Sequence, residues 1–339
     1  MTMKARASFT PHSAMNSLPI PSFIRLVQAL AALAGLCAVF SASVRAEAIA
    51  EDFPAVTCPD GDVWLVSTRR LPGICRLPAQ AALDVEQRCG SRWERSDLVN
   101  LLDDPSRPLV IFIHGNRYEP HDAKSQGSTV ARQVAGICPA GGRARTVVFS
   151  WPSAQQGRLI PSSRENYRRS STDAHYLAWL LGQLDPAQPV AVIGYSLGAK
   201  IAVGAIEDLV EAGHATGRSP WAERTGRSHL VLVAPAVPSD TFSPRGASAP
   251  AIAGIDRLTL VINSRDLALR MFPHLDRLEG ADALGTVGMP RRWLPEGVEF
   301  TATDAASIVG KRHAFPLYLE SPALVRRIAS GAISGLIGD

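Results

Sequence analysis

Three side chains of this sequence have the types, order and local setting needed to attack a carbonyl group: Ser196, Asp266 and His313. Ser196 lies in Gly194-Tyr195-Ser196-Leu197-Gly198, directly after the apolar run Val190 to Ile193 and before a segment with helical character. A serine hydroxyl is a weak nucleophile until a base can take its proton and backbone donors face the developing oxyanion. A sharp turn between a buried strand and a helix meets both needs, and the two flanking glycines lack the Cβ atoms that would collide there. In a chain with 27 Gly the pentapeptide can also arise by chance, so its setting has to carry the reading.

That setting extends along the chain. Asp266 follows the apolar run Leu258 to Ile262, and His313 falls in Gly310-Lys311-Arg312-His313-Ala314-Phe315, beyond the last strand-like run. Ser, then Asp, then His is the order associated with the α/β-hydrolase fold. His313 would accept the serine proton and return it to the leaving group, while Asp266 would fix the imidazole tautomer and stabilise its cation. Asp240, after the run ending at Ala234-Pro235, competes for the acid's role; Asp266 stands closer behind its strand. Of the other histidines, His12 sits near the N-terminus, His121, His175 and His214 fit loops or helices, His229 precedes a strand, and His274 follows closely on Asp266.

Two backbone N–H groups are candidate oxyanion donors. That of Leu197 stands at a helix N-terminus, where orphan amides face outward. That of Asn116 lies in His114-Gly115-Asn116, after the run Leu109 to Ile113, with His114 read as a brace for the loop. Trp151 and Tyr195 are candidate pocket-lining aromatics, with simple packing as the competing role.

A sheet whose strand ends converge is needed to bring these residues together. Strands are expected at Asp62 to Thr68, Leu109 to Ile113, Thr146 to Phe149, Val190 to Ile193, His229 to Val233, Leu258 to Ile262 and Val298 to Ala302, several of them apolar enough to be buried on both faces. Helices are expected at Ser128 to Ile137, Ser170 to Leu184, onward from Leu197, and at Ala323 to Ile333, with an arginine-rich polar loop leading into the second. Residues 80–107 give no clear assignment. The alternation implies the α/β class, a mainly parallel central sheet with helices on both faces. In such sheets reactive groups gather at the carboxyl ends of the strands.

At 339 residues and 46% hydrophobic, the chain can bury a large core. It opens with Lys4, Arg6 and Arg25, then the run Leu26 to Phe40 interrupted only by Gln28, then small residues around Ala42 to Ala46. This order matches a secretory signal peptide over residues 1–46, cleaved after Ala46 or alternatively after Ala48, with a single domain over residues 50–339. The alternative is an uncleaved anchor, but ~15 apolar residues fall short of the ~20 that span a bilayer. Export to the periplasm or medium is expected. Removing residues 1–46 takes away Lys4, Arg6, Arg25 and Arg45 and no acid, so the formal charge falls from +4 by 4 to 0. No polybasic tract remains to suggest nucleic acid, and membrane contact is expected only through an uncleaved leader.

Cys58, Cys75, Cys89 and Cys138 would remain, and four cysteines allow three pairings. Cys58 with Cys75 and Cys89 with Cys138 would each close a modest loop. The wide spacing lacks the short paired intervals of a zinc site, so a metal is not expected.

Phe112-Ile113-His114-Gly115-Asn116, Phe149-Ser150-Trp151-Pro152-Ser153, the arginine-rich segment before Ser170, and Val261 to Leu269 together resemble the bacterial α/β hydrolase family of unknown function, number 900. The resemblance spans roughly residues 60–330. Ser-Trp-Pro-Ser is its most specific part, because hydrolytic chemistry does not require that tetrapeptide. The family usually has His-Ser-Met-Gly around the nucleophile where this chain has Tyr195-Ser196-Leu197-Gly198, so the serine and the glycine after it are kept. The resemblance implies a serine hydrolase and little about its substrate; the set of Ser196, Asp266, His313 and Asn116 in this order leads to the expectation of a small acyl ester as substrate and of no cofactor. The reading from a different class is a hydrolase-like fold kept as a binding or scaffold protein of the cell envelope. A His313 unable to approach Ser196 would favour it.

Overall fold

Unbroken runs of Val, Ile, Leu and Phe form the middle of a sheet because both of its faces are covered. The computed structural model of the protein describes residues 62–138, 143–216, 221, 223–275 and 281–336. The leader and Cys58 lie outside the described residues. Nine strands appear among those described: β1 (Val63–Ser67), β2 (Asp84–Cys89), β3 (Arg92–Ser96), β4 (Leu109–Ile113), β5 (Arg145–Ser150), β6 (Val190–Tyr195), β7 (Ser228–Val233), β8 (Arg257–Ile262) and β9 (Glu299–Asp304). They make one sheet in the order β3-β2-β1-β5-β4-β6-β7-β8-β9. β1 and the strands from β5 through β9 in that order are parallel, while β2 and β3 add an antiparallel edge. Every residue of β4, β5, β6 and β7 is buried.

Four longer helices cover the sheet: α1 (Pro120–Ala135), α2 (Leu159–Leu181), α3 (Leu197–Thr216) and α4 (Pro322–Ile333). α1 packs with α4, and α2 with α3. Two of them depart from expectation. α1 starts at Pro120 rather than Ser128, because Pro120 is pre-organised for a first turn and Glu119 and Asp122 form a reciprocal capping box. α2 starts at Leu159 rather than Ser170, so the arginine-rich segment is helix and not loop. Its buried side there is polar, with Ser162, Ser163, Asn166 and Ser170 facing inward, so no apolar period announces the helix.

β2 and β3 fill part of the stretch left unassigned. Cys89 pairs with Arg92 across the two-residue turn Gly90-Ser91, with Gly90 at φ 61°. A glycine and a serine between two short runs is a hairpin signal, here masked by the charges of Glu86, Arg88, Arg92, Glu94 and Arg95. Such charge blunts an exposed sheet edge against further pairing. The expected disulfides Cys58–Cys75 and Cys89–Cys138 are both excluded, since Cys75, exposed, and Cys138, half-buried, are free thiols.

α3 begins in backbone contact with two strand ends. A Cβ on Gly198 would stand 2.3 Å from the carbonyl oxygen of Ile113 at the end of β4, and one on Gly194 2.6 Å from Cα of Ala199. Backbone cannot step aside as a flexible side chain can. Gly198→Ala is therefore expected to destabilise the protein by about 1–3 kcal/mol, the usual penalty of overpacking, read as a lower urea midpoint with unchanged slope. Gly73→Ala, where nothing lies within 4 Å, should leave the midpoint within error.

Candidate active site

β6 delivers Ser196 into a turn with φ 55°, a left-handed conformation that side chains other than Gly seldom adopt. Three backbone bonds hold it there: its N–H donates to the Val233 carbonyl at 3.0 Å, and its carbonyl accepts from Ala199 at 3.0 Å and Ala236 at 3.1 Å. The consequence is a hydroxyl raised above the sheet at the mouth of α3. Ser196 Oγ lies 2.7 Å from His313 Nε2, and His313 Nδ1 lies 2.6 Å from Asp266 Oδ2. The three sequence-predicted residues are thus brought into one hydrogen-bonded chain. Asp240, the competing acid, is exposed and apart from this chain.

Asp266 is fully buried, and its second oxygen accepts from the N–H groups of Ala268 at 2.9 Å and Leu269 at 3.1 Å. Those bonds leave Oδ2 free for the imidazole. Asn263, which sequence reasoning passed over, ties the acid's loop to the base's loop. Its buried side-chain amide donates to the Gly310 carbonyl at 2.9 Å and the Arg312 carbonyl at 3.4 Å, while its oxygen accepts from Arg265 N–H at 3.2 Å. The imidazole of His313 also stacks on the Tyr195 ring with centroids 5.2 Å apart, and Tyr195 rests on Phe315 at 4.8 Å.

Neither the Asn116 nor the Leu197 backbone N–H has an acceptor among the described residues. The loop holding Asn116 is braced from several sides. Asn116 donates to Ser163 Oγ at 3.1 Å and accepts from Asn166 Nδ2 at 2.7 Å; Asn166 also donates to the Ser153 carbonyl at 2.8 Å. That carbonyl accepts from Arg117 N–H as well, and Ser153 Oγ accepts from Tyr118 N–H at 3.1 Å. Arg117 sits at φ 67°, so the loop is strained and needs such bracing. Ser153 and Asn166 carry no reactive signature in sequence; the signal for them was the unexplained tetrapeptide and the polar face of α2.

His114 is fully buried and does brace the loop. Trp151 N–H donates to its Nε2 at 3.2 Å, which leaves the proton on Nδ1 to donate to the Gly115 carbonyl at 2.9 Å. Burial pushes its pKa down to about 3, with Arg69 nearby acting in the same direction. One expectation needs correction. Trp151 does not line a pocket: it is wholly buried, stacked on His114 at 5.8 Å, with its indole N–H donating to the His114 carbonyl at 2.8 Å. Tyr195 is largely buried, 3% exposed, and its ring packs against His313, the packing role weighed beside ligand contact.

Residues 93–326 match the family described as α/β hydrolases of unknown function (DUF900). No curated protein matches the chain. Similar solved structures include inhibited esterase B from Lactobacillus rhamnosis, 14% identical over 93% of this chain and 96% of that one with a TM-score of 0.38. An esterase/lipase from an uncultured bacterium is 11% identical over 74% of this chain and 78% of that one, with a TM-score of 0.36.

Two outcomes follow from the bracing. Asn166→Ala frees the Asn116 loop, so kcat on an activated ester should fall about ten- to hundredfold with KM little changed; an unchanged kcat would contradict the role. His114 stays neutral in the folded protein while an unfolded chain takes up its proton below pH 6.5. Its contribution to stability is therefore complete above pH 6.5 and is lost as pH falls toward about 3. The urea midpoint should decline over that window, and decline less in His114→Gln, which keeps a donor and an acceptor.

Proposed function

The chain belongs to the DUF900 family of α/β hydrolases, and from that premise we propose that it is an exported serine hydrolase cleaving carboxylic esters through an acyl-enzyme on Ser196. The observation that carries this reading is the unbroken run from Ser196 Oγ to His313 Nε2 at 2.7 Å and from His313 Nδ1 to Asp266 at 2.6 Å. It meets the distance a base needs to take the proton it abstracts. The scaffold alternative would be favoured by a histidine out of reach of the serine, and that condition is not met.

Ser196 Oγ attacks the ester carbonyl carbon as its proton passes to His313 Nε2. The carbonyl electron pair moves to oxygen, where the N–H groups of Leu197 and Asn116 receive the charge; losing one such donor typically costs ~3 kcal/mol of transition-state stabilisation. The tetrahedral centre collapses, and the alcohol leaves with the proton held on His313. Water then gives a proton to Nε2 and attacks the acyl carbon, and the carboxylic acid departs as Ser196 regains its hydrogen. Asp266 holds the Nδ1–H throughout. Esters are the class this machinery serves with least further apparatus, since an alcohol leaves once it takes the histidine's proton. Export is supported by the leader-like order of residues 1–46.

Labelling with a fluorophosphonate probe tests the reading. The native protein should react in proportion to its concentration and Ser196→Ala should not, with kcat falling about 10⁴- to 10⁶-fold. Equal labelling of both proteins, or of neither, would refute it. Protein recovered from the periplasm or medium should begin at Glu47 or Ile49, as read by intact mass.

A further inference from the structure

The start of α2 and the segment after Asp266 carry large apolar side chains that stay exposed among the described residues. Leu159 is 50% exposed, Ile160 48%, Leu267 52% and Met271 48%, and they are four of the seven large hydrophobic residues exposed in the described chain. Single exposed leucines are ordinary. These four are not scattered, because they occupy adjoining segments. Arg164 Nε donates to the His274 carbonyl at 3.1 Å, and the Tyr167 ring meets Phe272 edge-on at 5.9 Å, which joins the first turns of α2 to the 3₁₀ turn Leu269–His274. Leu267 N–H donates to the Lys311 carbonyl at 3.2 Å, which joins that turn to the loop carrying His313.

Unpaired charge on the same segments has one sign. Arg158 precedes Leu159, Arg265 and Arg270 bracket Leu267, and Lys311 and Arg312 lead into His313, all of them exposed. None of the five is in an ion pair among the described residues. The carboxylates described there are already engaged: Glu165 with Arg168, Asp304 with Ser264, and Asp266 with His313. A formal charge near 0 for the chain without residues 1–46 thus conceals a basic, apolar-studded face beside the loop carrying His313, which composition alone could not reveal.

We infer that this face docks on the anionic headgroup surface of a phospholipid bilayer. Apolar side chains flanked by arginine and lysine suit such a surface, with the former entering the acyl boundary and the latter meeting lipid phosphates. An acidic protein partner would account for the cations but not for four half-exposed apolar side chains between them. The inference rests on the hydrolase reading only for orientation: this face adjoins the loop carrying His313, which bonds Ser196, so docking brings that pair toward the lipid surface.

Sedimentation with vesicles of phosphatidylcholine, alone or with phosphatidylglycerol, tests this on the full chain carrying Ser196→Ala, so turnover plays no part. Vesicles containing phosphatidylglycerol should capture the protein, and pure phosphatidylcholine should not. Arg265→Gln with Arg270→Gln should weaken capture about thirtyfold, as expected for two cations at an anionic surface. Leu267→Ser with Met271→Ser should weaken it about tenfold, and high salt should release the parent. All these positions are exposed, so the variants should keep the parent's urea midpoint. No capture by anionic vesicles, equal capture by neutral ones, or capture unchanged in both double variants would overturn the inference; the last outcome would assign binding to the leader or another face. A failed sedimentation test leaves the Ser196 reading intact, and absent esterase activity leaves the docking result intact.

Discussion

Everything in the site depends on one backbone conformation, the left-handed turn at Ser196. For a serine this costs about 1–3 kcal/mol, and it persists only because the surroundings over-determine it. Hydrogen bonds to the end of β7 and into the start of α3 pin the residue on both sides, and Gly194 and Gly198 allow strand and helix to approach until backbone meets backbone. One constraint therefore has two results. The hydroxyl rises from the sheet toward His313, and the first amide of α3, that of Leu197, is left without an acceptor among the described residues.

The loops converging on that turn are held mainly by buried polar groups. α2 presents serines, Asn166, Thr172 and Asp173 inward rather than a full apolar stripe. Asp173 accepts from Thr68 and Arg169, and burial pushes its carboxyl up while those partners pull it back. Arg69 reaches Ser150 and the Tyr118 carbonyl, its own pKa lowered by burial. Buried polar groups are costly when unpaired and rigidifying when satisfied. In this arrangement Phe149-Ser150-Trp151-Pro152-Ser153 is a bracket: Ser150 receives Arg69, Trp151 carries His114, and Ser153 fixes the strained loop at Arg117.

What could be read from sequence divides along the same line. Continuous apolar runs gave β4, β6, β7 and β8 within one or two residues of their ends, and the strand-end rule gathered Ser196, Asp266 and His313 before any distance was known. α2 was read eleven residues short because its buried face is polar, and the β2–β3 hairpin was hidden by edge charge. Trp151 packs rather than faces a ligand, and its sequence could not say so because an aromatic at a strand end looks alike in either role. Asn166 and Asn263 escaped notice because their work is hydrogen bonding across long sequence separations, which leaves no local spacing to detect.

The central claim is that Ser196 becomes covalently acylated and is then released by water. Mixing the protein with p-nitrophenyl acetate, quenching in acid within the first turnover and mapping the modified peptide by mass spectrometry addresses it directly. The account predicts one acetyl group per molecule, on the peptide containing Ser196, appearing with a burst of p-nitrophenol and decaying as substrate is exhausted. An ester cleaved with no acetyl on Ser196, or with the acetyl on another residue, would contradict it.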